Sequence, residues 1–301
     1  MHAFCPGIYP RSEALVQATR DFDRGRTTPE AVAEQAERDL GAFVRAQQEA
    51  GLDLLADGML PWQDLFRPLV EASEGLEAGP LTRFLDTNTF YRAPHATSAV
   101  PRLREPLREP YLPPLGAPRL VTLPSPWALA RGTGVAATTV AEGILRPQLE
   151  ALSTDVELVV LDEPFLALDD EPALDQLAEA LEILGARKLA LRFVFSDAGA
   201  VLARGAAELP VDALGIDFYR TGAAAVPEGL GKMLLAGVVD GRSSLLEDSR
   251  EIAAFASRLR QRVADVALVP NGDLQFVAEP IAREKVLRLG RAKTVPVEEA
   301  A

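Results

Sequence analysis

Leu158-Val159-Val160-Leu161-Asp162-Glu163-Pro164 sets an apolar run directly against two carboxylates and a proline. Four consecutive aliphatic residues, two of them β-branched, read as a strand covered on both faces, as in a parallel sheet. Pro164 then blocks continuation of the ladder by removing a donor. The same phrase, a short β-rich run closing on polar residues and followed by a helical stretch, recurs along the chain. The runs Ala3–Ile8, Asp53–Asp57, Arg119–Leu123, Glu157–Leu161, Lys188–Phe195, Ala213–Phe218, Met233–Val239 and Val266–Val269 are the expected strands. Amphipathic stretches at Pro29–Ala50, Thr139–Leu152, Pro172–Leu184, Leu246–Val263 and Glu279–Leu289 alternate with them. Pro29 and Pro172 stand where a first helical turn accepts proline. This rhythm predicts an α/β fold, a single (β/α)8 TIM barrel over residues 1–293. The rival is a doubly wound open sheet, which usually carries a glycine-rich first turn, and no G-x-G-x-x-G occurs here.

Two segments break the rhythm. Gly75–Pro118 holds eight prolines and a single β-like stretch, Arg83–Phe90, and reads as a long excursion after the second strand, at the barrel mouth. The acidic end, Thr294–Ala301, reads as a flexible tail. A net charge of −13 argues against nucleic acid and anionic membrane as partners, because either needs a cationic face. A lone Cys5 excludes an internal disulfide, no apolar run is long enough to span a bilayer, and the opening residues lack a signal-peptide pattern. A cytoplasmic location is the expectation.

In such barrels the carboxyl ends of the strands build the active site. Here they read Asp57-Gly58, Ser125, Asp162-Glu163, Ser196-Asp197, Asp217 with Tyr219, Asp240-Gly241-Arg242, and Asn271-Gly272-Asp273. Any one of these is ordinarily a helix cap or an Asx turn. Their crowding instead suggests a carboxylate-rich mouth, with Asp162, Glu163, Asp217 and Tyr219 as candidate catalytic groups. Asp240, Arg242 and Asn271 are candidate substrate ligands, joined from the excursion by Arg83, Asp86 and Asn88. Neighbouring strand residues face opposite sides, so Asp162 and Glu163 need not both enter the mouth. Zinc is not expected: His2, His95 and Cys5 are the only soft donors, and a hard cation would have to use carboxylates. Cys5 reads as a small buried hydrophobe.

Several stretches resemble the cobalamin-independent methionine synthases, which are built from two fused barrels. The opening from Pro6 to Gly58 is similar to the first strand and long helical hairpin shared by both barrels. Residues 82–94, TRFLDTNTFYRAP, and 234–244, LLAGVVDGRSS, resemble the amino-terminal barrel in particular, and Leu158–Asp169 fits it better than the other. The resemblance implies that Arg83 stands where a family lysine helps hold the polyglutamate tail of methyltetrahydrofolate. It also implies that a second, basic tail-binding cluster falls near Ser12–Val16, where basic residues are missing. Zinc ligands of the carboxyl-terminal barrel would fall on Asp217, Tyr219 and Gly272, none of which matches. Of that family's homocysteine pocket only the aspartate, at Asp162, is retained. The expected function is therefore a folate-side barrel for methyl transfer from polyglutamyl 5-methyltetrahydrofolate to homocysteine, acting with a separate zinc-bearing methyltransferase polypeptide. The alternatives are an independent barrel enzyme without zinc that uses the carboxylate-rich mouth on a small amphoteric substrate, and a binding barrel without chemistry.

Overall fold

The computed structural model describes residues 1–185 and 187–296; of the expected tail, residues 297–301 lie outside the described residues. Its main sheet is parallel and curled. The seven strands are β1 (His2–Ala3), β6 (Arg119–Pro124), β7 (Val156–Glu163), β8 (Leu189–Phe193), β9 (Ala213–Asp217), β10 (Met233–Val239) and β11 (Val266–Pro270), in the spatial order β1-β11-β10-β9-β8-β7-β6. Four shorter strands, β2 (Ser73–Glu74), β3 (Leu76–Arg83), β4 (Phe90–Ala96) and β5 (Arg102–Leu103), form two separate antiparallel pairs, β2 with β5 and β3 with β4. Helices pack on the main sheet, among them Ser249–Leu259 and Glu279–Thr294, while α1 (Glu13–Asp23) packs against α2 (Pro29–Glu49) and α2 against the helix Glu279–Thr294.

The sequence explains the strands simply. Leu158–Leu161 is fully buried, as an apolar run between two covered faces must be. Ser12 and Thr28 begin α1 and α2 by accepting from the backbone N–H three residues on, and Pro29 occupies the first turn of α2. The expected helix over Thr139–Leu152 is instead three joined pieces, Ala137–Val140, a π-turn at Ala141–Leu145, and Arg146–Glu150. There Gly143 lies so close to the Pro101 carbonyl that an added Cβ would meet its oxygen at 2.3 Å, so the neighbouring β5 segment fixes the bulge.

The expected second strand, Asp53–Asp57, is replaced by an irregular segment with one parallel bridge, Leu55 to Arg119. It bonds β6 on one side, with Leu55 N–H donating to Pro118 O at 3.2 Å and Leu120 N–H to Leu55 O at 2.9 Å. On the other side Asp53 N–H donates to Ala3 O at 3.1 Å, but two residues later the ladder is interrupted. The buried amide of Gln47, on α2, takes over both backbone groups of Ala56, accepting its N–H at 2.8 Å and donating to its C=O at 2.9 Å. A side chain on a helix thus substitutes for a strand neighbour. β1 itself is shorter than expected because Gly7, at φ +94°, turns the chain into the mouth. We expect Gln47→Ala to cost about 2 kcal/mol in urea denaturation, because two buried backbone groups lose their partners. Hydrogen exchange at the Ala56 amide should accelerate in parallel; unchanged protection there would contradict the assignment.

Candidate functional site

Register decides which strand-end residues meet. Pro124, Asp162 and Arg192 are aligned across β6, β7 and β8, and Arg192 faces Gly215 of β9. Thr122, two residues before Pro124, accepts the Gly7 N–H inside the mouth at 3.0 Å, so this row points inward. Asp162 is therefore inside and Glu163 outside, in the helix layer.

At the centre sits an ion pair that the sequence patterning did not disclose. Arg192, 1% exposed, donates from Nε and Nη2 to the two oxygens of Asp162, both at 2.7 Å. Its Nη1 reaches the carbonyls of Pro6 and Pro270 at 3.4 and 3.3 Å. The guanidinium can lie flat across the mouth because Gly215 has no side chain; a Cβ there would meet Arg192 Cγ at 2.5 Å. Asp273 completes the arrangement, accepting the Ile8 N–H at 2.8 Å and the Gln275 amide at 3.0 Å. Burial first, and then the neighbouring Asp162 charge, push the Asp273 carboxyl up to about 6, against the pull of Arg192. The sequence signal for Arg192 was a lone cation inside the apolar run Leu189–Phe195.

A second cluster gathers four of the expected residues. Asn271, buried, donates its amide to Asp217 Oδ1 and to Asp240 Oδ1, both at 3.2 Å, and accepts the Gly241 N–H at 2.9 Å. Asp240 Oδ1 also accepts the Arg242 N–H at 3.0 Å. Asp217 is fully buried and its Oδ2 has no hydrogen-bond partner. Burial, reinforced by the charge of Asp240, raises its carboxyl to about 6, while the Tyr219 N–H, Asn271 and Arg242 oppose the rise. The Ser196 hydroxyl, at the end of the adjacent strand, is likewise buried without a partner.

The remaining candidates lie apart from this centre. Glu163 accepts the N–H groups of Phe165 and Leu166 at 2.8 and 2.9 Å and is bonded by the Ser125 hydroxyl. It caps a 3-10 turn, the ordinary role for such a residue; burial raises its pKa and these bonds lower it. Tyr219 is half-exposed and its hydroxyl donates toward Glu247 at 3.2 Å, outside the mouth, where Glu247 is held by the buried Lys285. Arg83 and Asn88 bond each other at 3.3 Å on the β3–β4 hairpin, and Arg83 Nε also caps Thr87 O. The expected β-stretch Arg83–Phe90 is the tip of that hairpin, because Leu85 takes a left-handed φ of 51° and reverses the chain.

The hairpin tip reaches the mouth. Asp86 accepts from Arg242 at 2.6 Å and from Arg220 at 3.4 Å, and the Arg242 guanidinium also stacks over Phe195 with 4.9 Å to the ring centroid. Behind the tip, Phe84, Tyr91, Phe66 and Phe165 pack with centroid separations of 5.4 to 6.3 Å. The space left under the hairpin is a recess of ≈ 20 Å³, touching Ile8, Asp64 and Asp273, and too small for an organic ligand. Beside it, sharing Ile8, Gln63 and Gln275, opens a groove of ≈ 1330 Å³ between the start of α1 and the segment Gln275–Pro280. Arg20 lines this groove; Arg11 does too, but its guanidinium is bonded to the carbonyls of Leu60 and Trp62, each at 2.8 Å.

The donor set does not fit zinc. Asp217 is bonded to Asn271, Tyr219 turns to Glu247, and Gly272 packs against Phe195, where a Cβ would meet the ring at 2.2 Å. Burial pushes the Cys5 thiol up to about 12, which disfavours the thiolate that binds metal. His2 lies at the opposite end of β1, between Asp53 and Asp265, and His95 is on the exposed face of β4. Among the described residues no three His, Cys, Asp or Glu side chains are gathered as a metal site.

A curled parallel sheet covered by helices is a fold shared with solved methionine synthases. The B12-independent methionine synthase from Shewanella sp. W3-18-1, in complex with selenomethionine, superposes with a TM-score of 0.66 at 15% identity, over 89% of each chain. A candidate vitamin-B12-independent methionine synthase from Listeria monocytogenes superposes at 0.72, also at 15% identity, over 97% of this chain and 98% of that one. In sequence, the profile of the cobalamin-independent synthase N-terminal domain matches residues 144–264. The 5-methyltetrahydropteroyltriglutamate–homocysteine methyltransferases of Mycobacterium leprae and Mycobacterium tuberculosis are 29% and 30% identical, over 87% of this chain. The chain spans about 40% of the length of these curated relatives. It is thus a relative of the cobalamin-independent methionine synthases, most like their amino-terminal domain. No helix among the described residues is long and apolar enough to cross a membrane.

Proposed function

We propose that this chain is a folate-side barrel of a methionine-synthase-like system, in which a separate zinc-bearing methyltransferase polypeptide carries out methyl transfer to homocysteine. In this reading the curled sheet closes through residues 53–57 into a single (β/α)8 barrel over 1–293, with 75–118 as the excursion across its mouth. The observation that carries the reading is the state of Asp162: both oxygens are taken by Arg192, and the recess above holds ≈ 20 Å³. A carboxylate bonded through both oxygens to a buried guanidinium, and itself 2% exposed, is not open to a substrate ammonium or to a group that would give it a proton. The open space is the outer groove, lined by Arg20, and Arg83, on the hairpin over the adjoining recess, is the second cation assigned to an anionic glutamyl tail. Methyltetrahydrofolate is the expected ligand there, and Asp86 and Asn88 shape the hairpin over the adjoining recess.

Isothermal titration with mono- and triglutamyl 5-methyltetrahydrofolate tests this. The triglutamate should bind more tightly, and Arg83→Ala should remove most of the gain. Absence of binding at either chain length would sink the folate-side role. A second reading, an independent enzyme acting on a small amphoteric substrate, is favoured by one feature. Asp217 has a free, buried carboxylate oxygen and a pKa near the range of a general base, with Asp240, Arg242 and Asn271 around it.

A further inference from the structure

Where the hairpin tip meets the mouth, one anion faces two cations. Arg220 follows β9 and Arg242 follows β10, and both guanidiniums bond the carboxylate of Asp86, which lies 134 and 156 residues away in sequence. Among the described residues no other carboxylate lies within 4.0 Å of either guanidinium. The loops of the main sheet thus supply the positive side of this contact. The negative side comes from the β3–β4 pair, which shares no ladder with that sheet.

The cations are placed by groups other than Asp86. Phe195 sets its ring against Gly272, with 5.4 Å between its centroid and that of Phe276, and the Arg242 guanidinium stacks on that ring. The Arg242 N–H is tied to Asp240, and the Arg220 N–H to Asp217 O at 3.2 Å. A guanidinium laid on an aromatic face keeps its donor edge free for a carboxylate. Asp86 is held by little else: its side chain is 68% exposed, and the two arginines are its only side-chain partners. Ion pairs this exposed are individually weak, so a free carboxylate can take the place of Asp86 at small cost. The packing of Phe84 and Tyr91 behind the tip involves neither Asp86 nor the two arginines.

We propose that Arg220 and Arg242 form a carboxylate-binding site at the rim of the mouth and that Asp86 is its built-in occupant, an autoinhibitory contact that an anionic ligand displaces. Ligand and tip exclude one another: binding lifts residues 85–88 from the rim, and docking of the tip expels the ligand. Asp86 acts as a tethered competitor, so the apparent affinity for a free carboxylate is cut to the fraction of molecules whose tip is undocked. The site does not rest on the folate-side reading, which places its ligand in the outer groove.

NMR of the arginine Nε–H groups of the whole protein, titrated with glutarate at constant ionic strength, reads the site directly. Glutarate ends in the same methylene carboxylate as an aspartate side chain, and its neutral diamide is the control. Saturable shifts at Arg220 and Arg242 are expected with glutarate and none with the diamide. Asp86→Asn, at an exposed position, should tighten glutarate binding by about threefold or more, because the competitor is gone. Arg242→Gln, made in the Asp86→Asn background, should weaken it by about tenfold. A latch that serves structure alone gives no gain in affinity when Asp86 is neutralised. The proposal is overturned if Asp86→Asn binds glutarate no more tightly than the parent, if Arg242→Gln has no effect, if the diamide matches glutarate, or if equal shifts appear at exposed arginines of α1 and α2 such as Arg20 and Arg38.

Discussion

Arg192→Ala is expected to destabilise the protein by about 3–5 kcal/mol in urea denaturation, the largest single effect anticipated for any residue of the mouth. The reason is the company Arg192 keeps. It is fully desolvated, bonded through two nitrogens to Asp162, and set against the Asp273 carboxyl. Removing it leaves Asp162 buried without its counter-ion and deprives Asp273 of the one cation that moderates its ionisation. Lysine should not rescue the loss, because a single ammonium cannot reproduce the two parallel bonds of the guanidinium. The double variant Arg192→Gln with Asp162→Asn should recover much of it, since no unpaired charge then remains at that pair. A loss below about 1 kcal/mol in Arg192→Ala would mean that water reaches Asp162 and that the pair is not the packed centre described here.

The second large effect is a stability that rises as pH falls. Burial pushes the carboxyls of Asp57, Asp217 and Asp273 each up to about 6 from the ordinary 3.8. Between those values the folded state binds more protons than the unfolded state, so stability must fall as pH rises through this window. Going from pH 8 to pH 5 should therefore stabilise the protein by about 1 kcal/mol per group, roughly 3–4 kcal/mol in all. Most soluble domains gain nothing comparable from acidification in that range. The triple variant with asparagine at 57, 217 and 273 should flatten the profile. A parent protein less stable at pH 5 than at pH 8 would show that these carboxylates are hydrated.

The strands were legible in the sequence because their signal is local. Leu158–Leu161 and Met233–Val239 are apolar on both faces and end in acids, and both appear where the pattern puts them. The turn at Asp53–Asp57 was not legible as a departure from a strand. Its residues are suitable for one, and only the folded position of Gln47, on a helix nine residues before Ala56, removes the neighbour it would have paired with. The candidate site divides in the same way. Asp217, Asp240, Arg242 and Asn271 were readable as strand ends and do meet, because the ends of adjacent parallel strands converge by construction. Glu163 and Tyr219 belong to other environments, one to a cap and one to Glu247, since alternation and loop geometry turn them outward. Asp273 was readable only as one strand-end carboxylate among several, and Arg192 was not singled out at all: a cation in a strand reveals its partner only once the register of the next strand is known.

The consequence for function rests on that central pair. In the proposed reading, a mouth filled by its own guanidinium leaves methyl transfer to a second polypeptide. The most direct measurement is methionine formation from triglutamyl 5-methyltetrahydrofolate and homocysteine by the purified chain with zinc supplied, run alone and with a zinc-bearing methyltransferase polypeptide. The account predicts no turnover by the chain alone and turnover in the mixture above that of the second polypeptide by itself. Sustained methionine formation by the chain alone would contradict it.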